Sequence, residues 1–308
     1  MHLPPLRLVL VLALAFAVLA PVFAAAPPAP GETVFGADRY VESVIGDLPV
    51  VLTAPHGGSL KPAALANRTE GVLGADLNTL ELARALADEL HRRTGAHAAL
   101  VASHLHRSKL DPNREVKEAA QGDPVAARTW EEFHAAIRAA LDAAVARHGF
   151  AFLIDLHGHR HPIARLELGY ALDAKQLNRT DADFDTSELI TLSALRDLHA
   201  RAGGSAATLL RGPASLGAFF NAAHYRAVPG PQEPQPGTEP FFAGGYIVRT
   251  HAAAATTPRI DGVQIETYYP GLRDTAGNRA AFARSAAAAL TTFIETHYPY
   301  KFPSAPKK

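Results

Sequence analysis

The sequence predicts one three-layer α/β/α domain built on a mixed central sheet. Short apolar runs at Val50–Leu52, Ala98–Ser103 and Phe150–Leu156 alternate with longer stretches of helical periodicity. Two of those runs end in glycine-rich turns that carry a histidine, the edge where α/β sheets present ligands. No repeat or composition break divides residues 38–298, so strands and helices share one core. The 308 residues, 48% hydrophobic and 19% charged, are enough for such a domain.

In chain order, Arg7 and the apolar stretch Leu8–Ala20, followed by Ala24, Ala25 and Ala26, predict a secretory signal peptide over 1–24. Cleavage after Ala24 is preferred, because a cut after Ala26 would place Pro27 on the scissile bond. That places the mature chain in the periplasm or outside the cell; an uncleaved N-terminal anchor is the alternative. No later segment is apolar enough to cross a bilayer, so no membrane contact is expected after cleavage. Residues 25–37 are a flexible lead-in.

Val44–Leu52 is extended, with Pro49 near the start of its strand. Leu77–Arg92 carries a helical stripe (Leu80, Leu82, Ala83, Leu86, Leu90), with Asp76 placed to cap it. Ala98–Ser103 is a strand, Trp130–His148 a helix stopped by Gly149, and Phe150–Leu156 a strand. Leu166–Leu172 is a further strand and Thr186–Arg201 a helix. Residues 226–241, rich in proline, form a loop expected to wall or roof a site. Tyr246–Thr250 and Val263–Thr267 are late strands, Asn278–His297 is a closing helix, and 299–308 is a frayed tail.

Lys plus Arg and Asp plus Glu number 30 each, which removes the electrostatic footprint of a nucleic-acid binder. Cysteine is absent, so a metal would be held by His, Asp or Glu, and there are 15 histidines.

His56 and His157 stand just past the apolar runs, each followed by glycine. Imidazole there suits zinc, which in catalytic sites takes three protein ligands and keeps one open position. The bland alternative is a polar residue at a strand end. Asp155 shares a strand face with His157 and could orient a ligand or hold a neighbouring loop. Ser103–Arg114 is dense in donors, and its arginines offer planar forks for a carboxylate or a carbonyl, or simply a solvated loop. Glu266 sits in an apolar strand, where burial raises a carboxyl towards the range of a general base. Since Gln264 shares its face, an outward-facing pair is the alternative.

Six segments in order carry a resemblance: Pro55–Gly58, Asp76–Thr79, Arg107 with Asp111–Arg114, Asp155–His159, Gly244–Tyr246 with Arg249, and Gln264–Glu266. Together they resemble the N-formylglutamate amidohydrolase family, related in fold to the zinc carboxypeptidases and aspartoacylase (phosphorylase/hydrolase-like). The resemblance implies one zinc ion held by His56 and His157, with Asp155 and His159 behind the ligands. It implies that Asn113 and Arg114 grip a substrate carboxylate, that Arg107 polarises the scissile carbonyl, that Glu266 moves the proton and that Arg249 adds a substrate contact. Ser59 stands where carboxypeptidases and aspartoacylase place a glutamate ligand. The third ligand must come from elsewhere, and the resemblance points to Asp76, whose segment belongs to the family pattern, with Glu70 in reserve and a plain helix cap as the competing role for Asp76.

The function implied is an exported metal-dependent amidohydrolase. It would cleave an amide C–N bond in an N-acyl or N-formyl amino acid, or in a carboxylate-bearing peptide. The alternatives are a carboxypeptidase-like or γ-glutamyl/cell-wall peptidase and a non-catalytic protein that captures an acidic ligand. A purely structural envelope protein would require His56 and His157 to lie far apart.

Overall fold

In a computed structural model, which describes residues 27–305, eight strands form one sheet. They are β1 (Thr33–Phe35), β2 (Val41–Val44), β3 (Val50–Ala54), β4 (Ala99–Ser103), β5 (Ala151–Gly158), β6 (Leu166–Gly169), β7 (Ala227–Val228) and β8 (Ile260–Thr267). Their order across the sheet is β1-β2-β4-β3-β5-β8-β6-β7. The segment read as a signal peptide lies outside the described residues.

The central strands β4, β3, β5 and β8 run parallel and are buried on both faces, which is why β3 and β4 are almost wholly apolar, while β5 and β8 interrupt their apolar residues with the buried Asp155, His157, Gln264 and Glu266. Leu52, Phe152 and Ile154 point to one side, where the helices Thr79–Thr94 and Ala276–His297 supply Leu86, Leu90, Leu290 and Phe293. Val51, Val101 and Leu153 point to the other, against Phe133, Ile137 and Leu141 of the helix Pro124–His148. The three layers expected from the sequence are therefore present. Truncating Leu86 or Phe152 to alanine would cost about 2–5 kcal/mol by the usual cavity penalty.

Local chemistry sets the helix limits. Asp123 accepts from Val125 N and Ala126 N, Pro124 occupies the first turn, and Gly149 closes the helix at φ 77°. That Asp-Pro start lies six residues before the expected Trp130. Among the described residues no helix is long and apolar enough to cross a membrane.

Several expectations need correction. The lead-in 25–37 contributes β1, paired antiparallel with β2. Thr186–Arg201 is broken into Leu189–Leu192 and Arg196–Ala202, with Glu188 at φ 56° interrupting the helix. Tyr246–Thr250 is a helical turn, Tyr246–Val248, that runs on into a wider turn at Arg249–Ala253. The described part of the tail folds back: the Tyr300 ring packs on Phe150 and Ala305 N donates to Arg93 O (3.1 Å). Residues 226–241 close the sheet edge through β7 and through Glu233, which pairs with Arg165 and Arg226.

Candidate metal centre

Parallel pairing of β3 with β5 and of β5 with β8 aligns Thr53 with Asp155, Asp155 with Gln264 and His157 with Glu266. The turn after β3 returns His56 to the same edge. Asp76 arrives just before the helix Thr79–Thr94, fixed by its own N–H donating to His56 O (3.0 Å).

His56, Asp76 and His157 are all buried and converge. Asp76 Oδ2 lies 3.4 Å from His56 Nδ1 and 3.3 Å from His157 Nδ1, and the two rings meet edge to face with centroids 4.8 Å apart. Ligand atoms about 2.0–2.2 Å from a tetrahedral ion stand roughly 3.3 Å from one another, so these spacings fit a metal. The outer nitrogens are tied down as metal-bound histidines require. His56 Nε2 donates to Asp111 Oδ1 (2.6 Å) and His157 Nε2 to Asp155 Oδ2 (2.9 Å), which directs both Nδ1 atoms inward. Behind them Thr53 Oγ1 donates to Asp155 Oδ1 (2.6 Å) and Arg107 Nε to Asp111 Oδ2 (2.8 Å).

The electrostatics agree with a cation site. Burial alone would raise the Asp76 carboxyl, but hydrogen bonds from His157 and His56 hold it well below its usual range. Burial alone would lower the His157 imidazole, yet Asp155 and Asp76 outweigh it and hold it well above. Three buried carboxylates around two imidazoles are an anionic nest, and positive charge is what the nest stabilises.

Beside it, burial pushes Glu266 up to about 8, with His157 acting in the opposite direction. Its Oε1 accepts from Gln264 Nε2 (3.0 Å), while its Oε2 is buried without a partner among the described residues. Glu266 and the three candidate ligands line one cavity of about 990 Å³, with Arg107, Arg114 and Tyr269 further round its wall.

The other sequence-predicted residues fare unevenly. Arg107 is buried in the wall with Nη1 3.6 Å from Asp76 Oδ1. Arg114 reaches the cavity but is partly exposed and shared with Glu118 (3.1 Å). Asn113 spends its amide on the protein: Oδ1 accepts from Ile247 N (2.8 Å) and Nδ2 faces Gln264 Oε1 (3.4 Å). That amide fits only because residue 245 is glycine, where a methyl would stand 2.5 Å from Asn113 Oδ1.

Arg249 is a correction. Because its segment coils instead of extending, its side chain is exposed, outside the cavity lining, and donates to Gly244 O (3.1 Å) and Ala171 O (3.3 Å). His159 is another: its ring lines the cavity but bonds to Arg165 O (2.8 Å) and His161 N (3.1 Å), touching none of the three candidate ligands. Glu70 is exposed and outside the converging group, and the capping role for Asp76 also fails, since the helix is entered through Asn78. From this part of the chain residues 242–245 line the site, and the loop 226–241 does not.

Sequence reasoning missed two residues. Asp111 stood inside a noted motif, but its partner His56 is 55 residues away. Arg273, in no motif, lines the same cavity.

No protein-family model matches the chain, and no curated protein matches it. Solved structures do. An N-formylglutamate amidohydrolase from Ralstonia eutropha JMP134 aligns at 14% identity and TM-score 0.49, over 83% of this chain and 98% of that one. A metallo-carboxypeptidase from Pseudomonas aeruginosa, in complex with (2-guanidinoethylmercapto)succinic acid, aligns at 12% and TM-score 0.36, over 86% and 64%. The gene product Atu2144 from Agrobacterium tumefaciens aligns at 16% identity and TM-score 0.52, over 83% of this chain and 95% of that one. The chain shares the fold of that Agrobacterium protein.

Proposed function

We propose that this protein is a metal-dependent amidohydrolase of the N-formylglutamate amidohydrolase type. The observation that carries the reading is the placement of His56 Nδ1, His157 Nδ1 and Asp76 Oδ2 around one point, beside a buried glutamate with a free oxygen. His56, His157 and Asp76 would hold the ion, and zinc suits this His₂-carboxylate set with one position left open. A bound dication supplies Lewis-acid polarisation of a carbonyl and lowers the pKa of water.

The chain's own groups do the rest. Glu266 takes the proton from the attacking water and returns it to the leaving amine. Arg107 faces charge developing on the carbonyl oxygen. Arg114, at the more open end of the wall, pairs with a carboxylate on the substrate. A cavity of about 990 Å³ accommodates a peptide as well as a single N-acyl amino acid. Reading residues 1–24 as a signal peptide places this reaction outside the cytoplasm.

The test is a panel of N-formyl, N-acyl and γ-glutamyl amino acids and short peptides, with amine release as the readout. At least one member is expected to be hydrolysed, with activity lost to a chelator and restored by Zn²⁺. Turnover that survives exhaustive chelation would refute the reading.

A further inference from the structure

Arg273 is 2% exposed, and among the described residues no carboxylate forms an ion pair with it. Burying a guanidinium is costly, and here no salt bridge offsets that cost. Its donors go to backbone carbonyls instead: Nε to Thr267 O (3.1 Å), Nη2 to His159 O (3.3 Å) and Nη1 to Leu77 O. These three acceptors are not a random set. Leu77 follows Asp76, Thr267 follows Glu266, and His159 stands two residues after His157.

We infer that Arg273 is a positioning residue that locks the three segments bearing Asp76, His157 and Glu266 into one frame. The guanidinium is planar and forked, so one side chain reaches three carbonyls in fixed directions, which a lysine ammonium cannot reproduce. Arg273 is itself anchored, because Asn78 Nδ2 and Arg279 Nη1 both donate to its carbonyl (2.8 Å each) and Tyr269 lies against its guanidinium. The frame also explains the glycine after His157. A methyl at Gly158 would stand 2.5 Å from Arg273 Nη1, so residue 158 must be small to let the guanidinium cross.

The frame is a statement about the protein without metal, and only its consequence for ion affinity rests on the proposed function. Hydrogen exchange on metal-free protein reads the frame directly. The amides of Asp76 (to His56 O), Gly158 (to Asp76 Oδ2) and His159 (to Thr267 O) lie in the clamped segments. In Arg273→Lys all three are expected to exchange faster together, while the amides of β4 keep their protection. Zn²⁺ affinity is expected to fall about 10–100-fold, as for other groups that support metal ligands.

Gly158→Ala, which displaces the guanidinium without removing it, should give the same pattern. It should add little in an Arg273→Met background, because both changes act through one contact. Loosening of one segment alone, unchanged exchange, or fully additive losses would overturn the frame. Should the wild type bind no Zn²⁺, the proposed function falls, while the exchange measurements still decide the frame.

Discussion

Two histidine–carboxylate groups stand at the same cavity, the second lining it through His159 and His161 alone, and they differ in how their atoms are spent. In the group His159–His161–Glu167, contacts of ordinary hydrogen-bond length fill the facing positions: His161 Nδ1 to Glu167 Oε1 (2.8 Å), His159 Nε2 to Arg165 O (2.8 Å) and Phe242 N to Glu167 Oε2 (2.8 Å). In His56–Asp76–His157 the outer nitrogens are pinned by Asp111 and Asp155, and the inner ones face Asp76 Oδ2 at 3.3–3.4 Å, beyond the usual range. Both groups could be picked out by residue type. What separates them is orientation: carboxylates behind the rings turn both Nδ1 atoms towards a common point in one case only.

The comparison is sharpened first by its glutamates, which face each other across β6 and β8. Glu266→Gln is expected to retain Zn²⁺ and lose about 10²–10⁴-fold in turnover, the range for removal of a general base. Glu167→Gln should lose far less, and equal losses in a steady-state assay would erase the distinction.

Next come the supporting groups. Asp111→Asn should weaken Zn²⁺ binding about 10–100-fold in a competition titration. His161→Asn should leave it unchanged; a matching drop would mean that the second group also takes part.

Stability gives a smaller effect. Removing His161 takes the hydrogen bond from the fully buried Glu167 Oε1 and leaves it only the Arg165 guanidinium at 3.9 Å, so His161→Leu should cost about 1–3 kcal/mol in denaturant unfolding with metal affinity intact.

A further contrast is in pH. Burial raises Glu266 from 4.5 to about 8, so folded metal-free protein holds a proton that the unfolded chain releases. Its stabilising contribution is complete below pH 4.5 and is lost as pH rises through 8. Metal-free Glu266→Gln should therefore match the wild type in Tm near pH 4.5 and exceed it above pH 8. A gap that is constant with pH would contradict this.

How much was legible follows the same division. Phe150–His157 could be read because a strand buried on both faces opens with the apolar run Phe150–Ile154, and the polar Asp155 and His157 near its end stand out. Tyr246–Thr250 has the β-branched and aromatic composition of a strand. Its coil is imposed by tertiary contact, with Asn113 Oδ1 accepting from Ile247 N across 134 residues. Arg273 left no trace because its partners are carbonyls, which every residue possesses. Asp76 was legible only as two competing roles, and geometry separates them: its carboxylate faces the histidines and only its carbonyl serves Thr79.

Metal stoichiometry tests the central claim most directly, measured on the purified wild type beside His56→Ala, His157→Ala and His161→Ala. The account predicts one bound divalent ion per chain in the wild type and in His161→Ala, and none in the other two. An ion retained without His56 or His157, or an equal loss without His161, would contradict it.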